Sequence, residues 1–237
     1  MTVELLKKWL RKPEQEIAIH ETLLVGVCLA AAGGFLDAYT YTLRGGVFAN
    51  AQTGNLVLLA LRAAQGDWQG AFYYVIPVLA FFCGILLTET IKLRTSDRHF
   101  LLWQHFSLLV EMALLAVVGF LPLSVPDAVV NVTISFVCSV QVQSFRKTRG
   151  LPYATTMCTG NLRSAADCFS VFLFQKDPLA LRSCLRYLLI IFCFCAGAAA
   201  GAGCSQWLGA GAVWLCCGAL GLVFAVMALG KKALAQM

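Results

Sequence analysis

Long apolar windows alternate with short clusters of charge along this chain, and the pattern predicts helices that cross a bilayer. The windows run over about 22–43, 70–91, 101–122, 128–145, 180–203 and 206–229. A hydrocarbon core of about 30 Å takes roughly 20 apolar residues of helix, which matches these lengths. Barrel strands are much shorter and alternate apolar with polar positions, so strands are excluded. Pro77 and Gly84 mark bends inside the second window, and Gly66-Asp67 and Lys176-Asp177-Pro178 mark turns. Two further stretches are apolar but irregular. Arg44-Gly45-Gly46 breaks the first window; Asn50, Gln52, Thr53 and Asn55 then crowd the start of 47–66 before the clean helical run LVLLALRAA. Gly150 to Asn161 is the second, followed by a helix from Leu162 to about Gln175 in which Arg163 and Asp167, four apart, can pair on one face.

The two irregular stretches are related. Thr53-Gly54-Asn55-Leu56 recurs as Thr159-Gly160-Asn161-Leu162, an offset of 159 − 53 = 106. The same offset sets Asp37 on Gln143 and Gly46 on Pro152, with matching apolar context. An internal duplication follows: an N-terminal interfacial segment, 1–21, then a first membrane repeat, 22–122, and a second, 123–237. Thr53 is placed to cap the helix behind it, its hydroxyl accepting from an amide two or three residues on. A polar head followed by a short helix resembles a half-helix of a channel or transporter.

Charge then chooses between two topologies. If every apolar stretch crosses, eight spans result, and either orientation puts basic clusters on the wrong side: Lys92/Arg94/Arg98 and Arg146/Lys147/Arg149 in one, the two termini in the other. If each Thr-Gly-Asn segment enters and leaves on one side, six crossings remain. Both termini and those clusters are then cytoplasmic, with only Arg44 and Arg62 outside. Each repeat has three crossings, so the two are inverted. The expected fold is an all-α polytopic membrane protein of two inverted repeats, each with three crossing helices and one re-entrant or broken half-helix.

Composition agrees: the chain is 59% hydrophobic and 13% charged with mean hydropathy +0.77, against about 25% charge in soluble domains. The net charge of +6 reads as loop charge set by topology, so nucleic acid is not an expected partner. Residues 1–12, MTVELLKKWLRK, put Leu5, Leu6, Trp9 and Leu10 on one helical face beside four basic residues, the pattern of a helix lying on an anionic leaflet. Most of the 11 cysteines lie in apolar windows and read as small buried hydrophobes. His20, His99 and His105 are too scattered for a metal cluster. Two acids fall deep within windows, Asp37 and Glu111, with Glu89 just inside the end of its own, and such deep acids face a cavity or a partner. Glu111 maps by the offset onto Cys217 and has no acidic mate. Ala30 to Gly34 and Gly197 to Gly203 are close-packing faces, and Tyr39 and Tyr41 fit an interfacial belt.

The stretch GGFLDAYTYTLRGGVFANAQTGN, with GLPYATTMCTGNL, resembles the YoaK-like family of bacterial integral membrane proteins. The motif positions are Gly34, Asp37 and Ala38; Gly45, Gly46, Phe48, Thr53, Gly54 and Asn55; and Leu151, Pro152, Ala154, Thr155, Thr156, Thr159 and Gly160. That family has no known function, so the resemblance implies a multi-pass protein of the bacterial inner membrane and no activity. Function is therefore expected from the site alone. Irregular backbone at membrane depth is tolerated only inside protein or along a wet cavity. Two half-helix N-termini meeting near the midplane would favour an electronegative group, with Asp37, Thr53, Gly54, Asn55, Gln143, Thr159, Gly160 and Asn161 as candidate substrate-binding residues. The reading is a channel or secondary transporter for a small polar solute or ion, with no cofactor and no catalysis. The alternatives are an accessory or lipid-interacting protein, and an embedded enzyme whose nucleophile would be Cys158. The expected partners are the lipid bilayer, a small polar solute or ion, and, as an open option, further copies in a homo-oligomer. No GxxxxGK[ST] loop for ATP is present in the sequence.

Overall fold

A computed structural model describes residues 21–235 apart from 96, 149–150 and 153–155. The basic segment 1–12 lies outside the described residues, as do Arg149, Ala154 and Thr155. The described residues are mainly α-helical, with a two-residue antiparallel pairing of β1 (Lys147–Thr148) with β2 (Leu151–Pro152). The helices are α1 (Leu23–Leu43), α2 (Gln52–Ala64), α3 (Trp68–Arg94), α4 (Asp97–Phe120), α5 (Asp127–Ser144), α6 (Cys158–Gln175), α7 (Pro178–Leu208) and α8 (Val213–Ala235).

Local chemistry sets several of these ends. The Thr22 hydroxyl accepts from Val25 N–H at the start of α1, and the Asp67 carboxylate accepts from Gly70 N–H at the start of α3. Gly45 and Gly46 both take positive φ after α1, a conformation that side chains resist. Asp177 caps α7, whose first residue is Pro178. A short 3-10 turn, Gly209–Ala212, separates α7 from α8. Helix α6 starts at Cys158, four residues before the expected start at Leu162.

Four stretches of the described residues are long and apolar enough to cross a membrane: Leu23–Leu43, Trp68–Arg94, Trp103–Phe120 and Pro178–Leu229, the last containing α7 and α8. Helix α5 is more polar, carrying Asn131, Ser135, Ser139 and Gln141. All four are buried, so this helix, like α1, is largely enclosed by protein. Large apolar side chains such as Phe72, Phe82, Phe120, Phe192 and Trp207 cover the outside, which suits lipid tails and not water.

The helices pair in a pattern with internal symmetry. Helix α1 packs along α7 and α3 along α5; α2 lies on α3 and α6 on α7; α1 touches α8 and α4 touches α5; α4 packs on α8. Exchanging the first four helices for the last four maps each of these pairings onto another or onto itself. Contacts give the directions. Ala31 meets Gly197 and Phe35 meets Gly201, so α1 and α7 are parallel. Tyr73 meets Asn131, Gly84 meets Ser139 and Glu89 meets Gln143, so α3 and α5 are also parallel. Trp214 sits against Gly119, and Gly221 against Met112, so α4 and α8 are antiparallel.

The α1–α7 contact depends on missing side chains. A Cβ on Gly34 would strike the Phe194 carbonyl, one on Gly197 the Ala31 carbonyl, and one on Gly201 the Phe35 carbonyl. The obstacles are backbone atoms and cannot swing away. These are the close-packing faces anticipated from composition. Gly34→Val and Gly197→Val should each lower stability by about 1–3 kcal/mol or more through overpacking, seen as a lower melting temperature in detergent. Gly203→Val, where nothing lies within 4 Å of the new Cβ, should change little.

Candidate functional site

The chain beyond α1 turns back along the helix it has just left. Asn50 N–H donates to Asp37 Oδ1 at 2.6 Å and Ala51 N–H donates to the same oxygen at 3.4 Å. Asn50 Nδ2 donates to the Gly33 carbonyl at 3.2 Å. Gly33 is the middle residue of α1. At about 1.5 Å per residue, the returning segment has run back about 15 Å from the end of the helix. Helix α2 begins at that depth.

Its start is built differently from the sequence expectation. Thr53 does not cap it: the cap position is Ala51, no side chain bonds there, and Thr53 is an exposed second residue. Asn55 does the local work. Its Oδ1 accepts from Phe48 N–H at 2.9 Å, while its Nδ2 donates to the Phe48 carbonyl and to Gln52 Oε1, both at 2.8 Å. The side chain is wholly buried and clasps both polar groups of one peptide residue. Gly54 makes room for the Phe48 ring, which a Cβ would touch at 2.8 Å. That ring stacks on Tyr41, with centroids 4.7 Å apart. The Thr-Gly-Asn motif thus fastens the extended segment to the helix that follows.

The second irregular segment arrives at the same place. Thr156 Cγ2 packs against Gly33, where a built Cβ would also lie 3.7 Å from Asn50 Nδ2. Thr156 and Asn50 are 106 positions apart, so the two segments meet through equivalent residues. Helix α6 then starts at Cys158 with no side-chain cap. Thr159 and Gly160 are exposed, and Asn161 is buried. Ala154, the counterpart of Phe48, lies outside the described residues.

The meeting point is polar and incompletely satisfied. Asp37 is 4% exposed, and its Oδ2 has no hydrogen-bond partner; Asn50 Oδ1 is likewise buried without one. Cys138 of α5 lies beside Asn50. Deeper between α4 and α5, Gln141 Nε2 donates to both Glu111 oxygens at 3.1 Å. Neither Asp37 nor Glu111 has an ion pair among the described residues. Gln143 stands apart from this point and donates to Glu89 on α3. Of the eight candidates, Asp37 is at the meeting point, Thr53, Gly54 and Asn55 surround the start of α2, Thr159, Gly160 and Asn161 that of α6, and Gln143 is elsewhere.

Asn50, Gly33 and Thr156 were not among the candidates, although the 106-residue offset links two of them. Arg44, a loop charge by its sequence position, is wholly buried. Its Nη2 donates to the Leu121 carbonyl at 3.3 Å, and its Nη1 lies 3.7 Å from Asp127 Oδ1. Its carbonyl accepts from Asn131 Nδ2 at 2.8 Å. Tyr39 is not a belt residue: it is fully buried, with its hydroxyl donating to the Ala210 carbonyl at 3.1 Å.

An all-helical chain with several apolar helices and buried acids is a polytopic helical membrane protein. It belongs to the family described as "Protein of unknown function (DUF1275)", which matches residues 25–226. It is 28% identical over 190 residues to the UPF0700 transmembrane protein YoaK of Bacillus subtilis (strain 168), covering 76% of this chain and 82% of that protein. The motif resemblance is therefore a family membership. No solved structure matches.

The contacts separate two substitutions at Asp37. Asp37→Asn keeps an oxygen for the Asn50 and Ala51 amides and should insert and melt close to wild type. Asp37→Leu removes it and should lose about 1–3 kcal/mol. Asn55→Ala orphans both Phe48 groups and should cost about 2–4 kcal/mol. Thermal melts of the purified proteins check all three.

Proposed function

We propose that the protein is a channel or secondary transporter for a small polar solute or ion, with its site where Asn50 and Thr156 meet at Gly33. The observation that carries this reading is the pair of buried, unpartnered acceptors, Asp37 Oδ2 and Asn50 Oδ1, on backbone that has turned back to the middle of α1. Buried polar atoms without partners are costly and mark a place where a ligand or ion completes them. Two acceptors ask for a donor, such as an ammonium group, a cation or a proton. The N-terminal ends of α2 and α6 turn the positive end of the helix dipole toward an electronegative group, although the Gln52 and Gly54 amides are already taken by the Asn50 and Ala51 carbonyls. A small polar or zwitterionic solute, or an anion moving with a proton, fits both.

The proposed topology is six crossings, with α2 and α6 re-entrant from opposite faces. Two contacts support it. Tyr73, near the start of α3, lies within 3.5 Å of the Arg44 carbonyl just beyond the end of α1. Helix α3 thus starts on the side where α1 finishes, and α2 returns to the side its lead-in segment left. Helix α7 runs parallel to α1, and Thr156 leads into α6 at the level of Gly33. The α6–α7 turn then falls on the side where α1 begins. In this arrangement α1 and α5 cross in opposite senses, as inverted repeats require. The positive-inside rule puts both termini, Lys92, Arg94 and Arg146 in the cytoplasm of a bacterial inner membrane.

The clasp at Asn55 gives the Thr-Gly-Asn motif a holding role, so replacing Asn55 tests folding more than transport. Asp37→Asn is the informative variant because it keeps the amide cap. A metabolite and ion screen of deletion against overexpressing cells identifies the solute. Flux in proteoliposomes should then fall by about tenfold or more in Asp37→Asn, the scale of one charge-assisted hydrogen bond. Wild-type flux with wild-type pH dependence in that variant would remove Asp37 from the pathway.

A further inference from the structure

The outward faces of the two equivalent short helices differ in a way that lipid does not explain. On α6, Thr159, Arg163, Asp167 and Ser170 follow one another at helical spacing and are all exposed. Their counterparts 106 residues earlier on α2 are Thr53, Val57, Leu61 and Ala64, also all exposed. The same stripe is thus apolar in one repeat and charged in the other. The opposite side of α6 is occupied: Ala165, Cys168 and Val171 pack with Ala30 of α1 and with Ala180, Cys184, Tyr187 and Ile190 of α7.

Depth makes the difference costly. Helix α6 begins beside Gly33, so Arg163, five residues on, starts about 8 Å from the middle of a core about 30 Å thick. A charged side chain facing hydrocarbon there is unfavourable by several kcal/mol. Arg163 and Asp167 sit four apart but make no ion pair with each other or with any other described residue. The i, i+4 pairing allowed by the sequence is not formed.

The geometry points to a second copy of this chain docked on the α6 stripe, forming a two-fold dimer. Copies inserted in the same orientation are related by an axis along the membrane normal, which sets the two α6 helices side by side at equal height. Arg163 of each copy then faces Asp167 of the other across one helical turn, about 6 Å along the axis and within the reach of an arginine. Arg163 lies level with Arg163 of the other copy, so the ion pairs close diagonally, one turn apart, and the two-fold axis makes both together. The contact closes two ion pairs away from lipid, and Thr159 and Ser170 extend the polar contact at both ends. The α2 stripe carries no charge and stays in lipid. This inference is independent of what the site at Gly33 carries.

The test counts subunits by single-molecule photobleaching of the full chain, labelled through a terminal tag, in phosphatidylethanolamine–phosphatidylglycerol vesicles. Wild type should bleach in two steps. Arg163→Asp or Asp167→Arg alone sets like charges opposite and should raise the dimer dissociation constant by about tenfold or more. The two single variants mixed should form a heterodimer, and the chain carrying both substitutions should dimerise again. Ser170→Trp, which places bulk on the stripe without touching charge, should also dissociate the dimer. Monomeric wild type at high protein density overturns the inference and leaves Arg163 reaching for lipid headgroups. So does a dimer that survives both a single charge reversal and Ser170→Trp, since its interface lies elsewhere.

Discussion

Backbone that turns back inside a bilayer must find partners for every amide and carbonyl it carries there. In the proposed topology segment 44–51 meets that demand largely through side chains, with Asn131 Nδ2 donating to the Arg44 carbonyl and Gln52 Nε2 to that of Ala49. The Asp37 carboxylate takes the amides of Asn50 and Ala51, and Asn55 takes both polar groups of Phe48. The Asn50 side chain adds a tie to the Gly33 carbonyl. With these bonds in place, α2 starts at mid-helix depth and Gly54 leaves space for the Phe48 ring. Without them the same residues would be an unpaired loop in hydrocarbon. The polar residues of the motif are therefore first a solution to a backbone problem. The atoms left over at the meeting point, Asp37 Oδ2 and Asn50 Oδ1, are available for other chemistry.

The frame around this point is nearly symmetric, and the departures from symmetry are chemical. Each half lends its third helix to the other: α1 packs on α7 and α5 on α3. Glycines allow both approaches, Gly34 and Gly197 in one and Gly84 in the other. Yet Asp37 has Gln143 as its counterpart, and Gln143 is committed to Glu89. The acid at the meeting point is unique to the first half. At the end of α1, Arg44 joins α1 to Leu121 and Asp127 between α4 and α5. A buried guanidinium there ties three helix ends together, and its loss would leave the Leu121 carbonyl without its donor and Asp127 without its ion pair.

The long apolar windows were legible because burial in lipid needs a run of residues, and a run survives without knowledge of the fold. The kinship of the two Thr-Gly-Asn segments is legible for a similar reason, since four identical residues at one offset need no contact map. Asp37 facing protein also followed from its depth alone. What the sequence did not reveal lies in contacts set by three-dimensional packing. Thr53 reads as a helix cap by residue type, but the chain enters α2 one residue earlier and the hydroxyl faces outward. Asn55 as a clasp depends on the path of Phe48, seven residues before it. Arg44 reads as a loop charge because its partners are 77 and 83 positions away. Tyr39 reads as a belt residue until the turn between α7 and α8 covers it. The polar α5 looks like a poor span in isolation and is coherent only once its neighbours enclose it.

Sided cysteine labelling tests the turn inside the membrane most directly. In a cysteine-free background, single cysteines at Gln65, between α2 and α3, and at Lys92, near the end of α3, are challenged with an impermeant maleimide in intact cells whose outer membrane is permeable. Six crossings predict that position 65 labels from outside and that position 92 labels only after the inner membrane is opened. Protection at 65 together with external labelling at 92 would mean that α2 crosses completely, and the turn at mid-depth would not exist.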